Sequence, residues 1–255
     1  MTDQTDSIVL VAGGAGEVGA GIARAFLETG ATVIVPSRSS DHLDDLHGHL
    51  ESSGVATDQL TPLVGNIGQI DGAKQLRDTI LEQFGYVDTV VASLGGPQPI
   101  DRLIDVPLEI WDQVIDNFMT AQFVAARTFL PILAERVDST YTLVNGLSGP
   151  TGTIAAPAAS LMAVASAGEH MLMHALAKDA TEYGASVRIN ELVPLTPLIT
   201  RSKTDTDPEW LPAEAFGSVA VALATDSDHH GETIGVYSRT DVRRWEEGSG
   251  EWTPV

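Results

Sequence analysis

The chain has 255 residues, of which 43% are hydrophobic and none is cysteine, and its 35 acidic and 14 basic residues give a formal net charge of −21. A chain of this length and hydrophobic content can form one large α/β domain, and without cysteine it forms neither disulfides nor thiolate sites. The acidic balance argues against a nucleic-acid partner, which requires a basic protein face.

No stretch of the sequence has the character of a membrane anchor or a secretion signal. Uncharged runs stay well short of the ~20 residues that a membrane span needs, and residues 1–7 lack the basic and apolar regions of a signal peptide. We therefore predict a single domain over residues 1–255 that has no membrane partner and lies in the cytoplasm.

The first apolar run of the chain leads into a glycine-rich turn. Ile8–Ala12 is entirely apolar, as expected for a strand buried on both faces of a parallel sheet. Glycines allow close backbone approach to a ligand, and the helix predicted over residues 21–30 points its first amides into the turn. The sequence therefore predicts a phosphate-binding turn, whose glycines are Gly13, Gly14, Gly16 and Gly19.

Apolar strands and amphipathic helices alternate along the rest of the chain. We predict further strands at residues 31–35, 60–64, 87–92, 141–144, 186–192 and 233–237. We predict further helices at residues 41–53, 71–85, 108–133, 161–183 and 212–224. This alternation is typical of a Rossmann-like, doubly wound parallel sheet of about seven strands with helices on both faces. Such sheets bind ligands at the carboxyl ends of their strands.

The residues of the first turn resemble the opening motif of the short-chain dehydrogenase/reductase family, T-G-x-x-x-G-x-G. Residues 12–19 read AGGAGEVG, so two of the motif's glycines and its spacing match, while Glu17 replaces the middle glycine. The resemblance covers nearly the whole chain and implies a dinucleotide-binding fold. The turn residues that it assigns to the cofactor are Gly13, Gly16, Glu17, Val18 and Gly19.

Three later strand ends extend the resemblance. Ser37-Arg38 is similar to family members that prefer NADP, in which a hydroxyl and a guanidinium bind the 2′-phosphate. Asn66-Ile67 stands where the family has an aspartate near the adenine, and residues 92–95 keep only Gly95 of the family's N-N-A-G. The resemblance thus implies NADP as cofactor, with NAD or no cofactor as alternatives, bound by Ser37, Arg38, Asn66, Ile67 and Gly95.

The proton-transfer residues of the family are not found at their expected positions. Family oxidoreductases use a serine, a tyrosine thirteen residues later and a lysine four residues after that. Counted from Ser148, these positions hold Leu161 and Ala165, and the family's helix asparagine falls on Phe118, beside Asn117. Ser148 is then the one catalytic residue that the resemblance retains. Alternatively, its hydroxyl only hydrogen-bonds the turn backbone.

Other polar residues offer alternative readings of the site. Glu169 lies one helical turn beyond Ala165, and we also expect polar side chains near the rim at Ser93, Asn145 and Ser160.

We expect Tyr141 and Tyr183 to lie away from the rim. His170 and His174 have the spacing of a metal site, but without an evident third ligand we predict packing and no metal.

Glu17 itself has two interpretations. Its carboxylate either complements the positive N-terminus of the following helix while facing solvent, or it opposes the binding of a cofactor phosphate.

Three classes of function follow from these residues. The first is an NADP-dependent oxidoreductase of doubtful activity, and the second is a non-catalytic nucleotide-binding sensor or partner subunit. The third is a cofactor-free lyase, cyclase or isomerase that uses the same pocket. In each case the family resemblance implies a homodimer or homotetramer paired through the helix that includes residues 153–167 and the helix before it.

The acidic and lysine-poor composition leads to a prediction about salt. Only Lys74, Lys178 and Lys203 are lysines, and such surfaces suit a high-salt environment in which ions screen self-repulsion. We expect the melting temperature to rise by several degrees between low salt and molar sodium chloride in a thermal unfolding series. Maximal stability at low salt would contradict this hypothesis.

Overall fold

A seven-stranded parallel sheet lies at the centre of the computed structural model, which describes residues 4–96, 102–154, 157–203, 207 and 209–248. The strands are β1 (Ile8–Ala12), β2 (Thr32–Ser37), β3 (Leu60–Val64), β4 (Thr89–Ala92), β5 (Thr140–Val144), β6 (Arg188–Pro194), β7 (Leu198–Ile199), β8 (Leu211–Pro212) and β9 (Thr233–Val236). Their order in the main sheet is β3-β2-β1-β4-β5-β6-β9, with every neighbouring pair parallel, and β7 and β8 form a separate parallel pair.

Helices pack on both faces of this sheet. They are α1 (Glu17–Leu27), α2 (Ser40–Ser52), α3 (Ile70–Phe84), α4 (Leu108–Ile115), α5 (Ala121–Leu133), α6 (Ser148–Thr151), α7 (Ser160–Glu182), α8 (Ala213–Thr225) and α9 (Arg239–Glu246). Helices α1, α2, α8 and α9 share one hydrophobic core, and α3, α5 and α7 share the other. Alternate residues of β1 belong to different cores, because successive side chains of a strand point to opposite faces.

The predicted doubly wound parallel sheet is confirmed, with differences in detail. The helix predicted over residues 108–133 is interrupted, because Asp116–Thr120 between α4 and α5 is π-helical. Helix α9 was missed although its start has a recognisable capping box, in which the Ser238 hydroxyl and the Asp241 carboxylate each accept a backbone N–H. No helix among the described residues has the length and apolar character to cross a membrane.

Arg188 joins the end of α8 to the sheet. Its side chain is buried at the start of β6, and its guanidinium donates hydrogen bonds to the backbone carbonyls of Leu223, Ala224 and Asp226. A further hydrogen bond reaches the carbonyl of Asp138, which precedes β5. A cation is favourable here because the last carbonyls of a helix carry partial negative charge.

Replacing Arg188 tests this contribution to stability. We expect Arg188→Met to lower the free energy of unfolding by about 2–4 kcal/mol, because buried carbonyls lose their donors. Urea unfolding followed by circular dichroism measures the change, and Arg127→Met on the exposed side of α5 is the matched control. A loss no larger than that of the control would refute the role of Arg188.

Candidate functional site

The glycine-rich turn lies between β1 and α1, at the carboxyl edge of the sheet. Gly13 has a φ of +79°, and a Cβ at this position would overlap the carbonyl of Ser93 after β4. A Cβ at Gly19 would overlap the carbonyl of Gly13. These two glycines therefore let the ends of β1 and β4 and the start of α1 lie in direct backbone contact.

Gly16 and Val18 complete the turn. Gly16 precedes the first residue of α1 in an extended conformation and is exposed, and a Cβ there would approach only the carbonyl oxygen of Gly13, at 3.1 Å. Val18 is half-buried and packs against the core that α1 shares with α8. The exposed backbone of Gly16 therefore lies directly before the first amides of α1.

Glu17 is held by a loop that follows β7. Its Oε2 accepts a hydrogen bond from the backbone N–H of Ser202 at 3.0 Å, and its Oε1 lies 3.9 Å from Nε of Arg201. Partial desolvation raises the pKa of Glu17, but hydrogen bonds from Ser202 and Thr200 and the charge of Arg201 outweigh it and hold the pKa below its usual value. Glu17 is thus an exposed acid in the first turn of α1 that also has protein partners in the loop after β7.

The other predicted cofactor residues follow β2, β3 and β4. Ser37 is half-buried at the end of β2, where its hydroxyl accepts the N–H of Ser39, and Arg38 is exposed. The Asn66 side-chain oxygen accepts the N–H of Gly68, whereas Ile67 is buried in the core and can offer a ligand only its backbone.

Gly95, after β4, has a φ of +111°, and a Cβ there would lie 2.8 Å from the ring of Phe118. Phe118 belongs to the π-helical segment, so this segment packs directly against the loop after β4.

An apolar cluster occupies the start of α7. Leu161 and Ala165 are both 0% exposed and pack with Val114 of α4, and partly buried side chains of the same cluster include Ile110, Ile115, Phe118 and Met119. A leucine and an alanine cannot exchange protons, so these two positions offer packing and no acid–base chemistry.

Ser148 begins α6 and is half-buried. The adjacent Gly149 lies tightly against α7, since a Cβ there would come within 2.8 Å of the Ser166 carbonyl oxygen. Ser148 therefore lies on a segment packed against α7, the helix that begins with the apolar cluster.

A buried carboxylate that the sequence analysis missed lies on β6. Glu191 is 0% exposed, and its oxygens accept hydrogen bonds from Asn145 at 2.6 Å and Thr233 at 2.7 Å. The Nδ1 of His170 lies 2.7 Å from its Oε2. The available sequence signal was an acidic residue in the middle of an apolar strand. A buried polar group is tolerated when hydrogen bonds satisfy it, as they do here.

This network corrects one expectation of the sequence analysis. Asn145 was expected on the polar rim, but its side chain is buried between Glu191 and the Ser166 carbonyl, because it points from the end of β5 toward α7. His170 stacks edge-to-face on His174 with centroids 4.5 Å apart. Within the described residues no group of three or more potential ligands could hold a metal ion.

Glu169 and Tyr141 are buried beside this network. The Tyr141 hydroxyl and the Oε1 of Glu169 have no hydrogen-bond partner among the described residues. Burial, and then the negative charge of Glu191, raise the pKa of Glu169 to about 8, while burial and Glu169 raise the pKa of Tyr141. Glu169 is thus mainly a neutral acid at pH 7, and at 1% exposure it faces the protein interior rather than a substrate.

The raised pKa of Glu169 predicts how stability depends on pH. Between pH 6 and 8 the folded state keeps a proton that the unfolded state has already lost, so stability falls as the pH rises. We expect wild-type protein to lose about 1–2 kcal/mol more of unfolding free energy over this interval than Glu169→Gln. Urea titrations at both pH values test this, with exposed Glu182→Gln on the same helix as control. Equal pH dependence of wild type and Glu169→Gln would contradict it.

Known proteins are similar to this chain in sequence and fold. Dehydrogenase/reductase SDR family member 4 of Bos taurus is 25% identical over 143 residues, which are 56% of this chain and 50% of that protein, so the match spans about half of the relative's length. A short-chain type dehydrogenase/reductase from Mycobacterium ulcerans has a TM-score of 0.78 at 22% identity and covers 92% of this chain and 90% of its own. A short chain dehydrogenase from Burkholderia cenocepacia, solved in complex with NADP, has a TM-score of 0.77 at 16% identity, with coverages of 92% and 98%.

A family model described as short chain dehydrogenase matches residues 7–208, which is most of the chain. The solved structures share the fold, and the family model identifies the relationship. The chain belongs to the short-chain dehydrogenase/reductase family.

Proposed function

We propose that this protein binds NADP(H) at the carboxyl edge of the sheet and that it reduces carbonyl compounds at most slowly. The observation that carries the proposal is the buried apolar cluster at the start of α7, where Leu161 and Ala165 stand at the positions that we assign to the family's tyrosine and lysine. In this proposal the chain keeps the turn that binds the cofactor phosphates but lacks the proton donor. It would therefore bind NADP(H) without efficient proton transfer to a substrate.

The shape of the turn supports the binding half of the proposal. Gly13 and Gly19 leave no room for a Cβ, whereas the backbone at Gly16 borders open space before the first amides of α1. Helix N-termini of this kind favour anionic groups. The related protein from Burkholderia cenocepacia was solved with NADP.

The residues after β2 support NADP over NAD. Arg38 is exposed. Positions 37 and 38 hold serine and arginine, whereas a protein that prefers NAD has an acidic residue here to bind the ribose diol. A guanidinium suits the 2′-phosphate because its planar donors match phosphate oxygens. We assign Arg38 and Ser37 to this phosphate.

The apolar cluster supports the catalytic half of the proposal. When bound, the cofactor supplies the hydride through its nicotinamide. Ser148 can orient a carbonyl oxygen by hydrogen bonding, but the proton must then come from solvent. Loss of a positioned acid typically costs about 10²–10⁴-fold in rate.

The outer faces of α5 and α7 support a homodimer or homotetramer. Phe123, Val164 and Met171 are exposed apolar side chains on these two helices. Exposed apolar side chains often mark protein–protein contacts where they cluster.

Thermal unfolding with added nucleotide tests the binding proposal. At a hundredfold excess over Kd, NADP should add about 2.7 kcal/mol of stability, a rise of roughly 5–10 °C for a protein of this size. NAD at the same concentration should give a smaller rise, and Arg38→Gln should remove the difference, whereas exposed Arg127→Gln should not. Failure of both nucleotides to raise the melting temperature would reject the proposal and favour the cofactor-free lyase, cyclase or isomerase class.

The rate of NADPH consumption with a panel of carbonyl compounds tests the catalytic half. We expect the wild-type protein to have a low rate. Ser148→Thr, which keeps the hydroxyl, should have the same rate as the wild type, and Ser148→Ala should have a lower one. Turnover at rates typical of enzymes, about 1–10³ per second, would overturn the assignment of Leu161 and Ala165. Binding without measurable turnover favours the sensor or partner-subunit class.

A further inference from the structure

Arg201 lies against the glycine-rich turn, although the sequence analysis gave it no role. Its Nη2 donates a hydrogen bond of 2.9 Å to the carbonyl of Ala15, which lies inside the turn. Its Nε lies 3.9 Å from Oε1 of Glu17, beyond hydrogen-bond distance. A guanidinium is thus fixed beside the residues that precede the first amides of α1.

The loop that carries Arg201 is ordered by contacts on both sides. Before it, β7 pairs with β8 through Leu198 and Leu211. After it, the N–H of Ser202 donates to Glu17, and the ammonium of Lys203 lies 4.1 Å from the centroid of the Trp210 ring. Arg201 is therefore positioned next to the turn by contacts within the chain.

The guanidinium also has an unused donor. Nε of Arg201 is buried and makes no hydrogen bond within the described part of the chain, and the side chain as a whole is 23% exposed. A buried donor without a partner is unfavourable, so the described residues leave this guanidinium incompletely hydrogen-bonded.

Glu17 creates the need for this cation. A carboxylate at the first position of α1 cancels the positive character of the helix N-terminus and repels a phosphate placed there. The positive charge of Arg201 offsets the negative charge of Glu17, because the guanidinium lies beside both the carboxylate and the turn. The pair leaves the turn close to neutral where Glu17 alone would make it negative.

We propose that Arg201 is a diphosphate-binding residue of this protein and that its hydrogen bond to the Ala15 carbonyl positions its guanidinium at the glycine-rich turn. The proposal rests on the proposed function, in which a dinucleotide lies on this turn, and it names the residue that makes the turn compatible with Glu17. Arginine suits this task because its planar donors can bind two phosphate oxygens at once.

Calorimetric titration of Arg201→Gln tests the proposal with NADP, NAD and inorganic pyrophosphate as probes. All three contain a diphosphate, so we expect their dissociation constants to rise by a similar factor, about tenfold or more. Arg38→Gln should weaken NADP alone, because only NADP carries the 2′-phosphate. Arg127→Gln changes the net charge equally at an exposed site on α5 and should change no affinity by more than twofold.

Glu17→Gln provides the second arm. It removes the repelling charge, so we expect binding to tighten severalfold in the wild-type background. The gain in affinity should be larger in the Arg201→Gln background, where no guanidinium offsets the charge of the Glu17 carboxylate. Equal gains in both backgrounds would show that Arg201 does not compensate Glu17.

The outcomes separate this proposal from the proposed function. If Arg201→Gln binds all three probes within twofold of wild type, the role of Arg201 is refuted while NADP binding stands. If wild type binds pyrophosphate through Arg201 but neither dinucleotide, the proposed function fails and Arg201 keeps its role. If wild type binds none of the probes, both are rejected.

Circular dichroism of each variant confirms folding. Should Arg201→Gln fail to fold, Arg201→Lys, which keeps the charge and loses the planar fork, replaces it. We then expect an intermediate loss of affinity, and an affinity equal to wild type for every probe would overturn the proposal.

Discussion

The backbone contact among the ends of β1 and β4 and the start of α1 is the constraint on which the site depends. Because Gly13 and Gly19 have no side chains, the Ser93 carbonyl can approach Gly13, and the Gly13 carbonyl can approach Gly19. The first amides of α1 are thereby brought to the carboxyl edge of the sheet. Any side chain at Gly13 or Gly19 would force these elements apart and move the helix terminus away from the strand ends.

Local patterns in the sequence predicted most of the fold, but they could not predict contacts between residues that lie far apart in the chain. Runs such as Ile8–Ala12 indicated buried strands, and their alternation with helices indicated the parallel sheet, because both signals depend on neighbours in the chain. The partner of Glu17 could not be predicted in this way, since Ser202 lies 185 positions away. The partners of Glu191 could not be predicted for the same reason, since they lie directly after β5, on α7 and on β9.

Buried acids in this protein are accommodated in two different ways. Glu191 receives hydrogen bonds from several side chains, which satisfy its oxygens in the interior. Glu169 has an unpartnered oxygen, and its raised pKa of about 8 means that it is accommodated by keeping its proton. The sequence shows two glutamates in apolar surroundings, and only the arrangement of donors around each distinguishes them.

The π-helical segment Asp116–Thr120 packs against two other parts of the chain. Phe118 of this segment packs against Gly95, and Met119 lies so close to Gly168 of α7 that a Cβ there would be 2.5 Å from its sulfur. The side chains around Leu161 therefore form one packed group. A larger or polar side chain in this group would therefore require coordinated changes on several helices, because closely packed interiors accommodate single enlargements poorly.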